Sequence, residues 1–116
     1  SMGHREVANV LTDLGVRHEM ECLTDDEYFS LDLYVPEHDC VVEVDGPTHF
    51  VDEISADGEE GRVTRPTTAT ELRNMFLRKR HRRVVTLPWF ELDECDTREA
   101  KSTYVADKLR AAGIKL

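Results

Sequence analysis

The sequence has no long hydrophobic run, few aromatic residues, an odd number of cysteines and one long stretch without a positive charge. No apolar segment approaches the ~18 residues that a membrane span needs, and the opening residues carry no hydrophobic region of the secretory kind. A membrane partner is therefore not expected. Cys22, Cys40 and Cys95 show no C-x-x-C spacing, which argues against a disulfide framework and a zinc knuckle and points to a reducing compartment. Between Glu21 and Gly61 there are 14 acidic residues and no Lys or Arg, whereas Arg73 to Arg83 holds Arg73, Arg78, Lys79, Arg80, Arg82 and Arg83. The net charge of −9 speaks against a general nucleic-acid binder, but the segregation leaves one local basic surface.

What is present suits one compact domain over residues 1–116, with 40% hydrophobic residues to supply a core. The opening Ser1-Met2 reads as a cloning remnant, so a domain excised from a longer protein is expected. In "REVANVLTDLG", Val7, Val10, Leu11 and Leu14 recur at helical spacing and Gly15 suits the position just past the helix end. Val16, His18, Met20 and Cys22 then alternate as in a half-buried strand, residues 24–27 read as a turn, and Phe29, Leu31, Leu33 and Val35 alternate again. Residues 40–45 form a third strand after a short turn, which predicts an antiparallel meander. Residues 52–66, rich in acids and glycine, read as a loop. Thr67 or Thr68 caps a helix reaching about His81, with Leu72, Met75 and Phe76 facing inward. A fourth strand ends at Pro88, and Asp96 with Glu99 suggests a capping box ahead of a last helix that buries Ala100, Tyr104, Val105 and Leu109. The predicted order is α-β-β-β-α-β-α.

Within this order "VVEVDGPTHF" is the unusual stretch, because buried strands seldom carry two acids on one face. The period of two places Val41, Glu43 and Asp45 together, and puts Asp32 on the face of its strand opposite the leucines. If the two strands pair, the three carboxylates come within reach of one another. Mg²⁺ or Mn²⁺ would neutralise such a group and activate water against a phosphodiester. Gly46 would allow a sharp turn that returns His49 over the acids as an acid/base or phosphate contact. Read alone, the same acids suit a solvated face or a structural network better than a metal site. The basic run near Arg80 suits either a helix end or a phosphate-binding surface, and Trp89 reads as a core or edge residue rather than a base-stacking platform.

"FSLDLYVPEHDCVVEVDGPTHF", "TTATELRNMFL" and "RRVVTLPWFEL" resemble the RAP domain of organellar RNA-processing proteins, most strongly over residues 29–109. That family is similar in fold to the PD-(D/E)XK restriction-endonuclease-like superfamily, in particular to very-short-patch-repair nucleases. The resemblance implies an α/β fold with an α-β-β-β-α-β core, a four-stranded mixed sheet flanked by helices, and a C-terminal helix. It implies Asp32 and Glu43 as the two motif acids and, with Asp45, as ligands of Mg²⁺ or Mn²⁺, with His49 assisting catalysis. Asp45 stands where the superfamily usually has lysine, so Arg73 or Lys79 would have to substitute from the helix. Glu6 is a further candidate ligand. The acidic segment from Asp52 to Gly61 is longer than the usual connection, and His81-Arg82 replaces a glycine-containing turn.

Three functions follow as expectations. One is a metal-dependent endoribonuclease; another is a non-catalytic RNA-binding module that keeps the nuclease fold, with Arg73, Arg78, Lys79 and Arg80 on single-stranded RNA. The third is a protein-interaction domain, which the acidic net charge suits. The family also implies a mitochondrial or other organellar location and further domains in the parent chain.

Overall fold

Val7, Val10 and Leu11 form the buried stripe of α1 (Met2–Asp13), and its end follows from one glycine. Gly15 adopts φ 73°, so its amide bonds the Thr12 carbonyl and the Val16 amide bonds that of Leu11. The computed structural model describes residues 2–23, 30–54 and 62–116. The expected turn at 24–27, the strand residue Phe29 and the connection 55–61 lie outside the described residues.

The central sheet contains β1 (Glu19–Leu23), β2 (Ser30–Val35), β3 (Cys40–Asp45) and β6 (Arg83–Pro88), in the order β1-β2-β3-β6. The first three pair antiparallel, and β6 runs parallel to β3 along its whole length, from Cys40 beside Arg83 to Asp45 beside Pro88. The connection between those parallel strands carries α2 (Thr68–Arg80), as a parallel crossover requires. Two helices follow β6, the short α3 (Trp89–Asp93) and the longer α4 (Arg98–Ala111). The result is the expected mixed α/β fold with a four-stranded mixed sheet, flanking helices and a C-terminal helix.

The larger core lies between the sheet and the α1/α4 layer, where Val7, Leu11, Leu33, Val42, Leu87 and Leu109 meet. A smaller cluster of Leu31, Val41 and Leu77 lies under α2. Leu31 thus separates from Leu33 and Val35, which join the larger core, so the alternation of β2 breaks at Asp32. Across β1, Glu21 has φ 51°, a left-handed backbone for a residue with a side chain. Both irregularities fall at the same end of the sheet.

Four sequence expectations need correction. Residues 52–66 are not one loop: β4 (Phe50–Ile54) and β5 (Arg62–Pro66) take up the two ends of that stretch and pair antiparallel as a separate ribbon, and the Thr64 hydroxyl donates to Asp52 across it at 2.8 Å. β1 is shorter than its alternation suggested, and Met20 is exposed because an edge strand here lacks a covering layer. α2 turns its apolar residues outward, with Leu72, Met75 and Phe76 at 50%, 53% and 48% exposure, and buries Thr70, Asn74 and Leu77 instead. The sheet face beneath it carries acids, so polar residues have to face inward there. The cap of α4 is Thr97, whose hydroxyl accepts the Ala100 amide, rather than Asp96 in a capping box.

Candidate functional site

β3 is buried along all six residues, including Glu43 at 2% exposure and Asp45. Neighbouring residues of a strand point to opposite faces, so Val44 joins the larger core while Glu43 and Asp45 lie toward α2. An isolated carboxylate in that position would cost several kcal/mol or take up a proton.

The protein supplies partners for each acid. The β2 and β3 ladder stops at Leu33 beside Val42, and beyond it side chains replace the missing backbone bonds. The Asp32 amide donates to Glu43 Oε2 at 3.0 Å, and Asp32 Oδ2 accepts the Val44 amide at 2.8 Å. The other oxygen of Glu43, Oε1, accepts Arg73 Nε at 2.9 Å and also Arg73 Nη2, which in turn donates to the Ser30 carbonyl. A guanidinium fork on a carboxylate is the strong form of charge-assisted hydrogen bond. Asp45 lies 3.7 Å from His49 Nδ1, and that nitrogen is 3.2 Å from the Thr70 hydroxyl.

These surroundings set the protonation of the acids. Burial first, and then repulsion from Asp32, push Glu43 up to about 7 against the opposing pull of Arg73. Burial also raises Asp45; His49 and Arg73 counter it and Asp32 adds to it.

Asp32, Glu43, Asp45, His49 and Arg73 therefore come together, through a gap between strands and not through a continuous paired face. Arg78, Lys79 and Arg80 do not join them. They are exposed in the last turn of α2, whose C-cap His81 bonds Asp39 at the far end of β3. At 1.5 Å per residue, Lys79 lies roughly 13 Å along the helix from Thr70 beside His49. Arg83 is engaged elsewhere, with the carbonyls of Ala112 and His38. Glu6 pairs with Lys101 at 3.5 Å.

Sequence reasoning passed over His4, whose Nε2 is 3.3 Å from Asp32 Oδ2. Its Nδ1 is buried with no hydrogen-bond partner among the described residues. A lone histidine on a helix has no spacing signal that would have singled it out. Gly46 also differs from expectation: φ −78° and ψ 178° are open to any residue, and an added Cβ would meet nothing within 4 Å.

As arranged, the acids do not fit a divalent cation. Among the described residues no group of three or more His, Cys, Asp or Glu side chains is placed to hold a metal ion. The reason is visible at Glu43, where Arg73 already provides the neutralising charge.

A mixed sheet with a buried acid pair at the end of its inner parallel strand, closed by an arginine from the crossover helix, defines a compact α/β module with a charged site at one end. The RAP domain family model matches residues 42–108, and the chain belongs to the RAP domain family. That membership marks it as an RNA-associated module. The matched segment includes Glu43, Asp45, His49 and Arg73 and begins beyond Asp32. No curated protein and no solved structure matches the chain.

Proposed function

We propose that this domain is a non-catalytic RNA-binding module that retains a fold of the PD-(D/E)XK nuclease kind. The observation that carries this reading is the Arg73 fork on the buried carboxylate of Glu43. It supplies from within the protein the positive charge that a nuclease of that superfamily obtains from a metal. The order α-β-β-β-α-β and the parallel β3/β6 pair support the superfamily likeness. Single-stranded RNA would then meet the exposed cations Arg78, Lys79 and Arg80, away from the acids, which repel phosphate. Residence in an organelle and further domains in the parent protein belong to this proposal on the family likeness alone.

A second reading is a Mg²⁺- or Mn²⁺-dependent endoribonuclease, with Asp32, Glu43 and Asp45 as ligands and His49 assisting. One observation favours it: the three acids converge, and burial together with repulsion from Asp32 raises the proton affinity of Glu43 and Asp45 in spite of Arg73. It requires Arg73 to release Glu43.

Labelled single-stranded RNA distinguishes the two. Fluorescence anisotropy should show salt-sensitive binding, and denaturing gels should show intact RNA with or without Mn²⁺. Cleavage by the wild type that disappears in Asp32→Asn would replace the first reading with the second, and absence of binding at low salt would remove both.

A further inference from the structure

On the opposite face of β3 from Glu43 and Asp45 lies a cavity of about 370 Å³, between the start of α1, the end of β3, and the α3/α4 corner. Its apolar wall is made by Val44, Leu92 and Trp89, and its polar rim by Glu6, Asp93 and Lys101. This volume falls in the range of small-ligand sites. Trp89 is 37% exposed, and its ring is held from behind: it meets Phe90 edge-on at 5.9 Å, and Phe90 meets Phe50 at 5.3 Å. A tryptophan anchored on one side and open on the other presents a rigid stacking surface.

Gly46 lines the same cavity. Neither its backbone angles nor a steric contact requires glycine there. A side chain at this position would enter open space at the cavity wall. The missing side chain keeps the cavity wide.

We infer that this cavity binds one unstacked nucleobase of an RNA strand, stacked on Trp89. The inference rests on the RNA-binding reading and adds the base-recognition element that the acid cluster lacks. Single-stranded RNA is recognised in this manner, by splayed bases stacked on aromatic rings and bonded along their edges. The rim determines which bases fit. The Glu6 and Asp93 carboxylates only accept hydrogen bonds, and Lys101, paired with Glu6 at 3.5 Å, only donates. Adenine, cytosine and guanine offer exocyclic amino groups to the acids, with ring nitrogen or carbonyl acceptors beside them for the lysine. Uracil has no amino group, and its one edge donor, N3–H, lies between two carbonyl oxygens that repel an approaching carboxylate. The cavity therefore favours amino-bearing bases over uracil.

Trp89 is the protein's one tryptophan, so its fluorescence reports this cavity alone. The test titrates the protein with the four nucleoside 5′-monophosphates and compares quenching midpoints, because quenching amplitudes differ between bases. GMP, AMP and CMP should saturate the quench at concentrations several-fold below UMP. Gly46→Leu should move all midpoints up at least tenfold while leaving the melting temperature within a degree or two, and Asp93→Asn should narrow the gap to UMP. The inference falls if no monophosphate quenches at millimolar concentration, if Gly46→Leu quenches like the wild type, or if UMP binds as well as the others. Anisotropy of labelled RNA, run in parallel, separates the failures. RNA that binds without quenching Trp89 leaves the RNA-binding reading standing and removes the cavity from it, whereas RNA that does not bind removes both.

Discussion

Asp32 and Glu43 bond crosswise where β2 and β3 part: the amide of Asp32 meets the carboxylate of Glu43, and the carboxylate of Asp32 meets the amide following Glu43 in the chain. Each acid thereby replaces a bond that the ladder would have supplied. Two acids in contact across a gap raise each other's charge repulsion, and Arg73 relieves it from one side only.

Asp32→Asn should therefore lower the proton affinity of Glu43, because repulsion from Asp32 is the second cause of its elevation. The asparagine carbonyl can still accept the Val44 amide, so the fold should survive with a change within about 1 kcal/mol. NMR titration of the Glu43 carboxyl checks this. An unchanged midpoint would show that burial alone sets it.

Stability should fall as pH rises across this region. The folded state holds the Glu43 proton more tightly than the unfolded chain, with a value moved from 4.5 to about 7. The folded state therefore gains most below the unfolded value, and the gain is lost as pH passes through 7. The loss is on the order of 3 kcal/mol. Asp45 moves in the same direction and adds to the slope. Chemical denaturation at a series of pH values from 5 to 8, in EDTA, should show the decline in the wild type and a flatter profile in Glu43→Gln. A wild-type stability that rises over this window would contradict the assignment.

Arg73→Met should cost about 3 kcal/mol, the typical effect of stripping one partner from a buried ion pair. Combining it with Glu43→Leu should recover most of that loss, since the charge left behind is then removed as well. Urea midpoints for the two single variants and the double variant provide the cycle, and additive losses would mean that the pair is not coupled.

Replacing Arg78, Lys79 and Arg80 together by alanine should weaken RNA binding for all sequences alike. Each lost phosphate contact flattens the logarithmic salt dependence by roughly 0.7 for a single strand. A salt slope identical to that of the wild type would place the RNA elsewhere on the surface.

Much of the framework was legible in the sequence because its signals are local. Gly15 and Thr67 end and begin helices through their own backbone or hydroxyl, and the acids of β3 stood out by their spacing. The orientation of α2 was not legible. Leu72, Met75 and Phe76 carry the helical period, yet the face that turns inward is set by groups on other elements, Glu43 bonding Arg73 and His49 bonding Thr70. The β4/β5 ribbon was hidden for a related reason: its two strands hold polar residues that pair with each other and lie outside the central sheet. The contacts of Asp32 were out of reach because they depend on where a ladder stops, which strand periodicity does not encode.

The central claim is that Arg73 takes the place of a metal at Glu43, and the melting temperature measured against Mn²⁺ concentration tests it most directly. A ligand that binds only the folded state raises that temperature by mass action. The account predicts no Mn²⁺-dependent rise in the wild type at millimolar concentrations and a clear rise in Arg73→Ala, where the acids have lost their cation. A rise in the wild type that Glu43→Gln abolishes would contradict it.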